Sequence, residues 1–259
     1  METYQHFSKI AKNYKALRTL DLEPILYIKN KIRNLPKIEM VDVGCGDGRY
    51  SIKLIRALGN KLHLHCIDTN SEMIKRLQAS LARNRIKNVK VTKASAENLP
   101  VEDNSTDCVF TLNAIHHFKL SEFIKEASRI LVDDGYLFIY TRLRSQNRNN
   151  IFGKFFPLFC QKETRLYELN ELEDILNKIP NLQIQSTETF RFQRCTDMKR
   201  LIHQAKHHHY STFSLYSEKE FEQSLKEFKQ NIKINFEDQE KIKWSDEYSL
   251  LVIKKTNKK

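Results

Sequence analysis

The chain has 259 residues, enough for one large domain or for one domain with an appended lobe. Its hydrophobic fraction of 40% can form a core, which excludes disorder along the whole chain, and no apolar run is long enough to span a membrane. The formal charge of +12 is spread along the chain rather than gathered into one basic run, so it does not by itself indicate nucleic-acid binding.

The cysteines and the amino terminus both bear on the cellular compartment. Five cysteines, an odd number without a CxxC pair, argue against a disulfide framework or a zinc knuckle. The opening stretch METYQHFSKIAKNYKALR is charged and polar and lacks the apolar centre of a signal peptide. We therefore expect a cytoplasmic protein with no metal site.

The first half of the chain alternates between strand-like and helix-like patterns. Apolar runs predict strands at 38–43, 62–68, 89–93, 107–112 and 135–141. Helical spacing of apolar residues follows the first, second and fourth of these runs, and Ser121 is the expected N-cap of the third helix. Such alternation indicates a mainly parallel sheet with helices on both faces.

The second half keeps less of this alternation. A helix at 170–179, a strand at 182–192 and a closing strand at 247–255 bring the expected sheet to seven strands. Thr196 is the expected cap of a helix beginning at Met198, and Ser217 with Glu220 has capping-box spacing. The remaining residues, in 142–168 and 191–235, are expected to cover the ligand crevice at the carboxyl ends of the strands.

Half of the chain's six glycines lie within five residues, in the stretch MVDVGCGDGRY. A glycine-rich turn between a first strand and its helix lets the backbone approach a ligand closely. The turn departs from the dinucleotide pattern GxGxxG because its third glycine comes one residue early. Asp42 and Asp47 flank it, which suits a cationic ligand better than a pyrophosphate. The alternative is that these acids, and Asp68 after the second strand, only cap helices.

Four segments in the expected order resemble one enzyme family. VDVGCGDGRY, CIDTNSEMI, ASAENLPVEDNSTDCVFTLNAIHHF and EASRILVDDGYLFIYT are similar to motifs of class I S-adenosylmethionine-dependent methyltransferases, in the branch of the ubiquinone/menaquinone C-methyltransferases and the malonyl-carrier-protein O-methyltransferases. The resemblance covers residues 38–141 and implies the Rossmann-like class I methyltransferase fold. It implies a single domain over 1–259, with a cofactor-binding core at 38–141, a helical cap at 1–37 and lid insertions at 142–168 and 191–235.

The resemblance also implies the cofactor, S-adenosyl-L-methionine, and the residues around it. Gly44 and Gly46 would approach the methionine part through their backbone, with Asp42 near its ammonium group, and Asp68 would hold the ribose. The other positions carried over are Tyr14 and Arg18 over the methionine carboxylate, Thr69, Met73, Ser95 and Ala96 around the adenine, and Asn113 after the fourth strand.

One position departs from the family. Ser95 stands where the family commonly has Asp, whose carboxylate accepts a hydrogen bond from the adenine amino group. A serine oxygen can accept the same bond but brings no charge to strengthen it. Looser cofactor binding is one expectation, and compensation by Glu97 is the other.

The histidines are the candidate bases, since a methyl acceptor such as a phenol, enol or amine must lose a proton. His116 and His117 follow the fourth strand at its crevice end, where related enzymes often carry histidines; the alternative is local packing and hydrogen bonding. The segment HYSTF resembles segments in the carboxyl-terminal half of members of this branch, which makes His209 and Tyr210 candidates for the substrate pocket. If the helix from Met198 continues this far, His209 falls near its apolar face and could point inward with Tyr210.

A second pair of histidines has the spacing of metal ligands on a helix. His203 and His207 are four residues apart, but a metal site needs three or four converging ligands and the sequence offers no third. A solvated helix face is therefore the favoured interpretation, and no metal is expected.

The acceptor itself is the open question. The position after the fourth strand reads NAIHHF, which lacks the N/D-P-P-Y-type motif of nucleic-acid amine methyltransferases. We expect a small, partly hydrophobic acceptor, methylated on oxygen, carbon or nitrogen. Two alternatives stay open: an RNA methyltransferase that uses the positive charge, and a non-catalytic subunit that only binds S-adenosylmethionine. The sequence indicates no oligomeric state.

Overall fold

The protein is described by a computed structural model that covers residues 20–256. Within this range the chain divides into two compact units. We call residues 20–141, 169–188 and 249–256 the sheet unit, and residues 142–168 and 189–248 the insertion unit. Both predicted lid segments fall in the insertion unit, and the single-domain organisation stays a prediction.

Seven strands form one sheet in the order β3-β2-β1-β4-β5-β7-β6. The strands are β1 (Ile38–Val43), β2 (Leu62–Asp68), β3 (Val89–Lys93), β4 (Thr106–Leu112), β5 (Leu131–Thr141), β6 (Leu182–Thr196) and β7 (Ile242–Lys255). Pairing is parallel from β3 to β5, and β7 is antiparallel to β5. This is the predicted Rossmann-like, mainly parallel seven-stranded sheet.

Ten helices of the described chain accompany the strands. They are α1 (Glu23–Lys31), α2 (Arg49–Leu58), α3 (Ser71–Arg83), α4 (Leu120–Ile130), α5 (Arg144–Asn147), α6 (Ile151–Phe155), α7 (Phe159–Lys162), α8 (Leu169–Leu176), α9 (Met198–Lys206) and α10 (Glu218–Asn235). Because parallel crossovers are right-handed, α2 and α3 lie on one face of the sheet and α4 on the other, as the alternation predicted.

Two predicted helix caps are wrong. Helix α4 begins at Leu120 after Lys119, so Ser121 lies inside its first turn rather than capping it. The cap of α9 is Asp197, whose carboxylate accepts from the Arg200 amide, while Thr196 is the last residue of β6. The capping box of Ser217 and Glu220 at α10 is present as predicted.

The strand order places the carboxyl ends of β1 and β4 side by side, although their connections run in opposite directions. This switch point is where open α/β sheets bind ligands. The glycine turn follows β1, Asp68 ends β2 and Asn113 follows β4, so the predicted cofactor residues of the core lie at this edge.

The insertion unit has an aromatic core of its own. Phe152, Phe156, Phe159, Phe213 and Phe228 are almost completely buried, and their ring centroids lie between 5.0 and 6.4 Å apart in several pairs. The stretch IFGKFFPLF, residues 151–159, supplies three of these rings, so it forms core packing within its unit.

Candidate cofactor and active site

The glycine turn leaves open space at its second glycine. Gly44 and Gly46 both have positive φ, +74° and +55°, which favours glycine at these positions. A Cβ on Gly44 would stand 2.6 Å from the Cβ of Ala114, whereas one on Gly46 would meet no heavy atom of residues 20–256 within 4 Å. Gly44 is therefore required by packing, and Gly46 presents bare backbone to a space that a ligand can fill.

Asp68 is tied to this turn by hydrogen bonds. Its Oδ2 accepts from the Gly46 amide at 2.8 Å, and its Oδ1 accepts from the Asn70 amide at 2.8 Å. Burial raises the pKa of Asp68, and the backbone amides partly offset this effect. Helix α3 is capped by the side chain of Asn70, which accepts from the Glu72 and Met73 amides. Asp68 is thus not needed as a cap, which removes the alternative interpretation of this residue.

Asp42 lies deeper, within β1. Its side chain is 2% exposed and accepts a hydrogen bond from the Ser51 hydroxyl. Burial raises the pKa of Asp42 to about 7, the Ser51 bond lowers it and the nearby charge of Asp68 raises it. A cation bound near this carboxylate would stabilise its charged form. Asp42 does not cap α2, whose N-cap is Gly48 without a side-chain bond, whereas Oδ1 of Asp47 accepts from the amide of Arg49, the first residue of α2, at 3.4 Å.

The loop from β3 to β4 begins next to Asp68, because the Ala94 amide donates to the Asp68 carbonyl at 3.1 Å. Ser95 follows, and its hydroxyl donates to Oε2 of Glu97. The other carboxylate oxygen of Glu97 accepts from the Lys119 amide at 2.7 Å. Ala96, which lies between Ser95 and Glu97 in the sequence, is buried. Ser95 and Ala96, the predicted adenine residues, are thus held beside the proposed ribose-binding acid.

The residues after β4 reach the same edge. Asn113 has a φ of +55°, and its amide donates to the Tyr140 carbonyl at 2.7 Å. A 3₁₀ turn at Ile115–His117 follows, in which the His116 and His117 rings lie 4.0 Å apart. Both histidines are half-buried and follow the carboxyl end of β4.

The residues of this edge lie in the part of the chain that is similar to known proteins. Residues 40–135 match the family model described as a methyltransferase domain. The chain is 33% identical over 138 residues to the ubiquinone/menaquinone biosynthesis C-methyltransferase UbiE of Rickettsia akari. Residues 40–135 therefore match a methyltransferase domain, and this part of the chain is similar to UbiE-type class I methyltransferases. Domains of this class use S-adenosylmethionine.

The similarity extends to other relatives and to solved structures. A phthiotriol/phenolphthiotriol dimycocerosates methyltransferase of Mycobacterium ulcerans is 36% identical over 111 residues, 42% of this chain and 38% of that protein. A putative methyltransferase from an antibiotic biosynthesis pathway of Anabaena variabilis shares the fold, with a TM-score of 0.65 and 21% identity over 91% of this chain and 98% of its own. The UbiE match covers 50% of this chain and only 56% of that relative.

His209 and Tyr210 lie in the insertion unit, apart in sequence from the methyltransferase domain. Helix α9 ends at Lys206, so the condition that the helix continues to His209 is not met; His208 has a φ of +50° and turns the chain. His209 is 7% exposed, and its ring centroid lies 4.4 Å from that of Tyr210. After the bend at His208, His209 is therefore buried and Tyr210 is half-buried, although neither residue lies in a helix.

Arg142 is a residue of this unit that the sequence reasoning missed. It is 5% exposed, donates to the Tyr248 hydroxyl at 2.6 Å and pairs with Asp246 at 3.2 Å. Its guanidinium lies 5.2 Å from the centre of the Tyr210 ring. The available signal was an arginine directly after an apolar strand, a position where a charge needs buried partners.

The other predicted site residues are distributed as follows. Thr69, which precedes the N-cap of α3, is exposed, and Met73 in the first turn of α3 is buried. Tyr14 and Arg18 lie outside the described residues. Within residues 20–256, no three His, Cys, Asp or Glu side chains converge as metal ligands, and the His203 and His207 rings stack 4.0 Å apart on the exposed face of α9. No described helix is both long and apolar enough to cross a bilayer.

Proposed function

We propose that the protein is an S-adenosylmethionine-dependent methyltransferase that acts on a small, partly hydrophobic acceptor. The observation that carries the proposal is the bond between the Asp68 carboxylate and the Gly46 amide, inside a matched methyltransferase domain. This hydrogen bond holds together the two groups that S-adenosylmethionine requires: an acid that binds the ribose hydroxyls, and a glycine backbone that the methionine part can approach.

The residues of the domain divide the binding task. Asp68 accepts hydrogen bonds from the ribose hydroxyls, and Gly44 and Gly46 let the methionine part of the cofactor approach the backbone. The buried carboxylate of Asp42 favours the positive charge of the methionine part. Thr69, Met73, Ser95 and Ala96 border the adenine, with Asn113 on the β4 side. Tyr14 and Arg18 are proposed to close over the methionine carboxylate.

When bound, S-adenosylmethionine supplies an activated methyl group on a sulfonium sulfur. Positioning of the acceptor in line with the carbon–sulfur bond then contributes much of the rate. We propose His117, His209 and Tyr210 as the groups that orient the acceptor and take the proton it loses. The support is their chemistry, the place of His117 after β4, and the contact of Tyr210 with the Arg142 guanidinium, which favours an oxygen anion nearby.

The acceptor class rests on two observations. The relatives with matched domains include enzymes named for ubiquinone, menaquinone and phthiotriol compounds. The exposed positive groups of α9 are not interleaved with exposed aromatic rings, which single-stranded RNA binding typically uses. A small lipophilic acceptor, methylated on oxygen, carbon or nitrogen, is therefore favoured over RNA.

Calorimetric titration with S-adenosylmethionine and S-adenosylhomocysteine tests the cofactor site. We expect micromolar binding, about 8 kcal/mol, that weakens by about 100-fold in Asp68→Ala. Asp174→Ala, a change of an exposed aspartate on α8, is the matched control and is expected to bind as the wild type does. Binding unchanged in Asp68→Ala would contradict the assigned site.

Transfer of a radiolabelled methyl group separates the three functions. Label entering the solvent-extractable fraction of a cell extract supports a small lipophilic acceptor, and label entering ribonuclease-sensitive precipitate supports the RNA alternative. Cofactor binding without label in any fraction supports a non-catalytic subunit. His117→Ala and Tyr210→Phe are expected to reduce the labelling at least tenfold while leaving cofactor affinity within about twofold.

A further inference from the structure

We propose that Glu97 is a positioning residue for the adenine subsite: it accepts the hydrogen bond of the Ser95 hydroxyl and so leaves the Ser95 oxygen as the acceptor that an aspartate would otherwise provide. The inference rests on the proposed cofactor site. It concerns Ser95, the position at which this chain departs from the motif that it resembles, and the neighbouring Glu97.

The first step is the direction of the hydrogen bond. The Ser95 hydroxyl donates to Oε2 of Glu97, while the Glu97 amide donates back to Ser95 Oγ at 3.2 Å. A hydroxyl has one proton and two lone pairs. With its proton committed to a carboxylate and one lone pair to an amide, Ser95 Oγ offers the adenine amino group a remaining lone pair.

The second step is that Glu97 itself is held in place. Its Oε1 accepts from the Lys119 amide at 2.7 Å, which leaves Oε2 directed at Ser95. Lys119 follows Phe118, whose ring is one of the groups that a side chain on Gly44 would strike, at 2.9 Å. Glu97 therefore links the adenine loop to the segment that packs on the glycine turn.

The third step is electrostatic. A carboxylate hydrogen-bonded to the Ser95 hydroxyl polarises that hydroxyl and increases the negative charge on its oxygen. The Ser95 oxygen is thus a charge-assisted acceptor. The negative charge that assists it lies on Glu97, across one hydrogen bond, whereas in an aspartate the charge lies on the accepting carboxylate itself. Such an acceptor prefers an amino group over a carbonyl oxygen at the same place on the purine.

The test measures ligand binding by calorimetry and needs no methyl acceptor. The probes are S-adenosylhomocysteine and S-inosylhomocysteine, in which a carbonyl replaces the purine amino group. The wild type is expected to prefer the adenosyl ligand by tenfold or more. In Glu97→Gln the amide nitrogen would donate to Ser95 Oγ and turn its proton toward the purine, so we expect adenosyl binding to weaken about tenfold and the preference to fall within threefold.

Further variants separate this role from a general loosening of the loop. Glu102→Gln makes the same change at an exposed position of the same loop and is expected to change neither affinity nor preference. Ser95→Asp should restore the preference in the Glu97→Gln background, since it supplies its own carboxylate. Ser95→Ala combined with Glu97→Gln should bind no more weakly than Ser95→Ala alone, because the two residues act in series.

The outcomes are distinct. Failure of the wild type to bind S-adenosylhomocysteine would overturn the proposed function and this inference with it. Wild-type binding with an unchanged preference in Glu97→Gln would overturn the inference alone. Loss of affinity in Glu97→Gln for both ligands equally, without rescue by Ser95→Asp, would show that Glu97 only stabilises the loop and would likewise overturn it.

Discussion

Two aspartates near the cofactor edge are held in different ways. Asp68 accepts two backbone amide bonds at the end of β2, whereas Asp42, one residue from the end of β1, has the Ser51 hydroxyl as its donor. Amide donors offset part of the cost of burying a carboxylate charge. Asp42 is the more buried of the two, and its pKa is raised to about 7, so it changes charge near neutral pH.

Asp42→Asn is expected to stabilise the cofactor-free protein in a pH-dependent way. The folded state has the higher pKa, about 7 against the usual 3.8, so it binds more protons and the free energy of unfolding falls as the pH rises from about 4 to about 7. Asparagine keeps an oxygen for Ser51 and cannot ionise. The free energy of unfolding of the variant should exceed that of the wild type by an amount that grows from about pH 4 to about pH 7 and reaches as much as about 4 kcal/mol above pH 7.

Urea unfolding at pH 4, 6 and 8 measures this difference, with Asp174→Asn as the control at an exposed position. A difference that stays constant over the three pH values would show that Asp42 does not titrate in this range. In the presence of S-adenosylhomocysteine the advantage of the variant should shrink, because the bound ammonium group favours the wild-type carboxylate.

At the scale of elements, the loop from β3 to β4 is attached to helix α4 through the contacts of Arg129 and Glu126. Arg129 donates to the carbonyls of Leu99 and Val101, at 3.0 and 2.8 Å, and to the carboxylates of Asp103 and Glu126. Oε2 of Glu126 in turn accepts from the Leu99 amide at 2.8 Å. The hydrogen bond with Arg129 lowers the pKa of Glu126, although burial opposes it.

Arg129→Gln should loosen this loop without unfolding the sheet. The variant loses the guanidinium group that bonds to two carbonyls and two carboxylates, which is expected to lower the stability of the loop by about 1–3 kcal/mol. Amide hydrogen exchange in residues 94–104 is expected to rise at least tenfold, while exchange in β1 and β4 stays as in the wild type. Arg83→Gln, at an exposed site on α3, serves as the comparison. Equal protection of the loop in both variants would contradict the role of Arg129.

The sheet was more predictable from the sequence than the details around it. Strand β1 and strand β2 have their predicted bounds because their apolar runs end at glycines or polar residues. The cap of α9 was misplaced by one residue, since Thr196 and Asp197 both suit an N-cap and only the length of β6 decides between them. The partners of Arg142 and Glu97 are distant in the chain or depend on loop geometry, which periodicity does not encode.

For the whole molecule, the charge of +12 predicts attraction to polyanions without specifying a site. We expect homopolymeric RNA to bind at low salt and to be lost at about 0.15 M salt, because released counterions supply nearly all of such binding. Fluorescence anisotropy with a labelled oligonucleotide at several salt concentrations measures this. Submicromolar binding that persists at 0.15 M salt would instead favour the RNA methyltransferase.

The order of the sheet has a consequence for how the chain is made. Strand β7 lies between β5 and β6, although it follows both in sequence. While the ribosome is still producing residues before 242, β6 therefore has no neighbour at its place in the sheet, and one side of β5 is open. The growing polypeptide must keep both edges from pairing wrongly until β7 emerges. Ribosome-bound chains halted before residue 242 should bind chaperones more than chains released after 255.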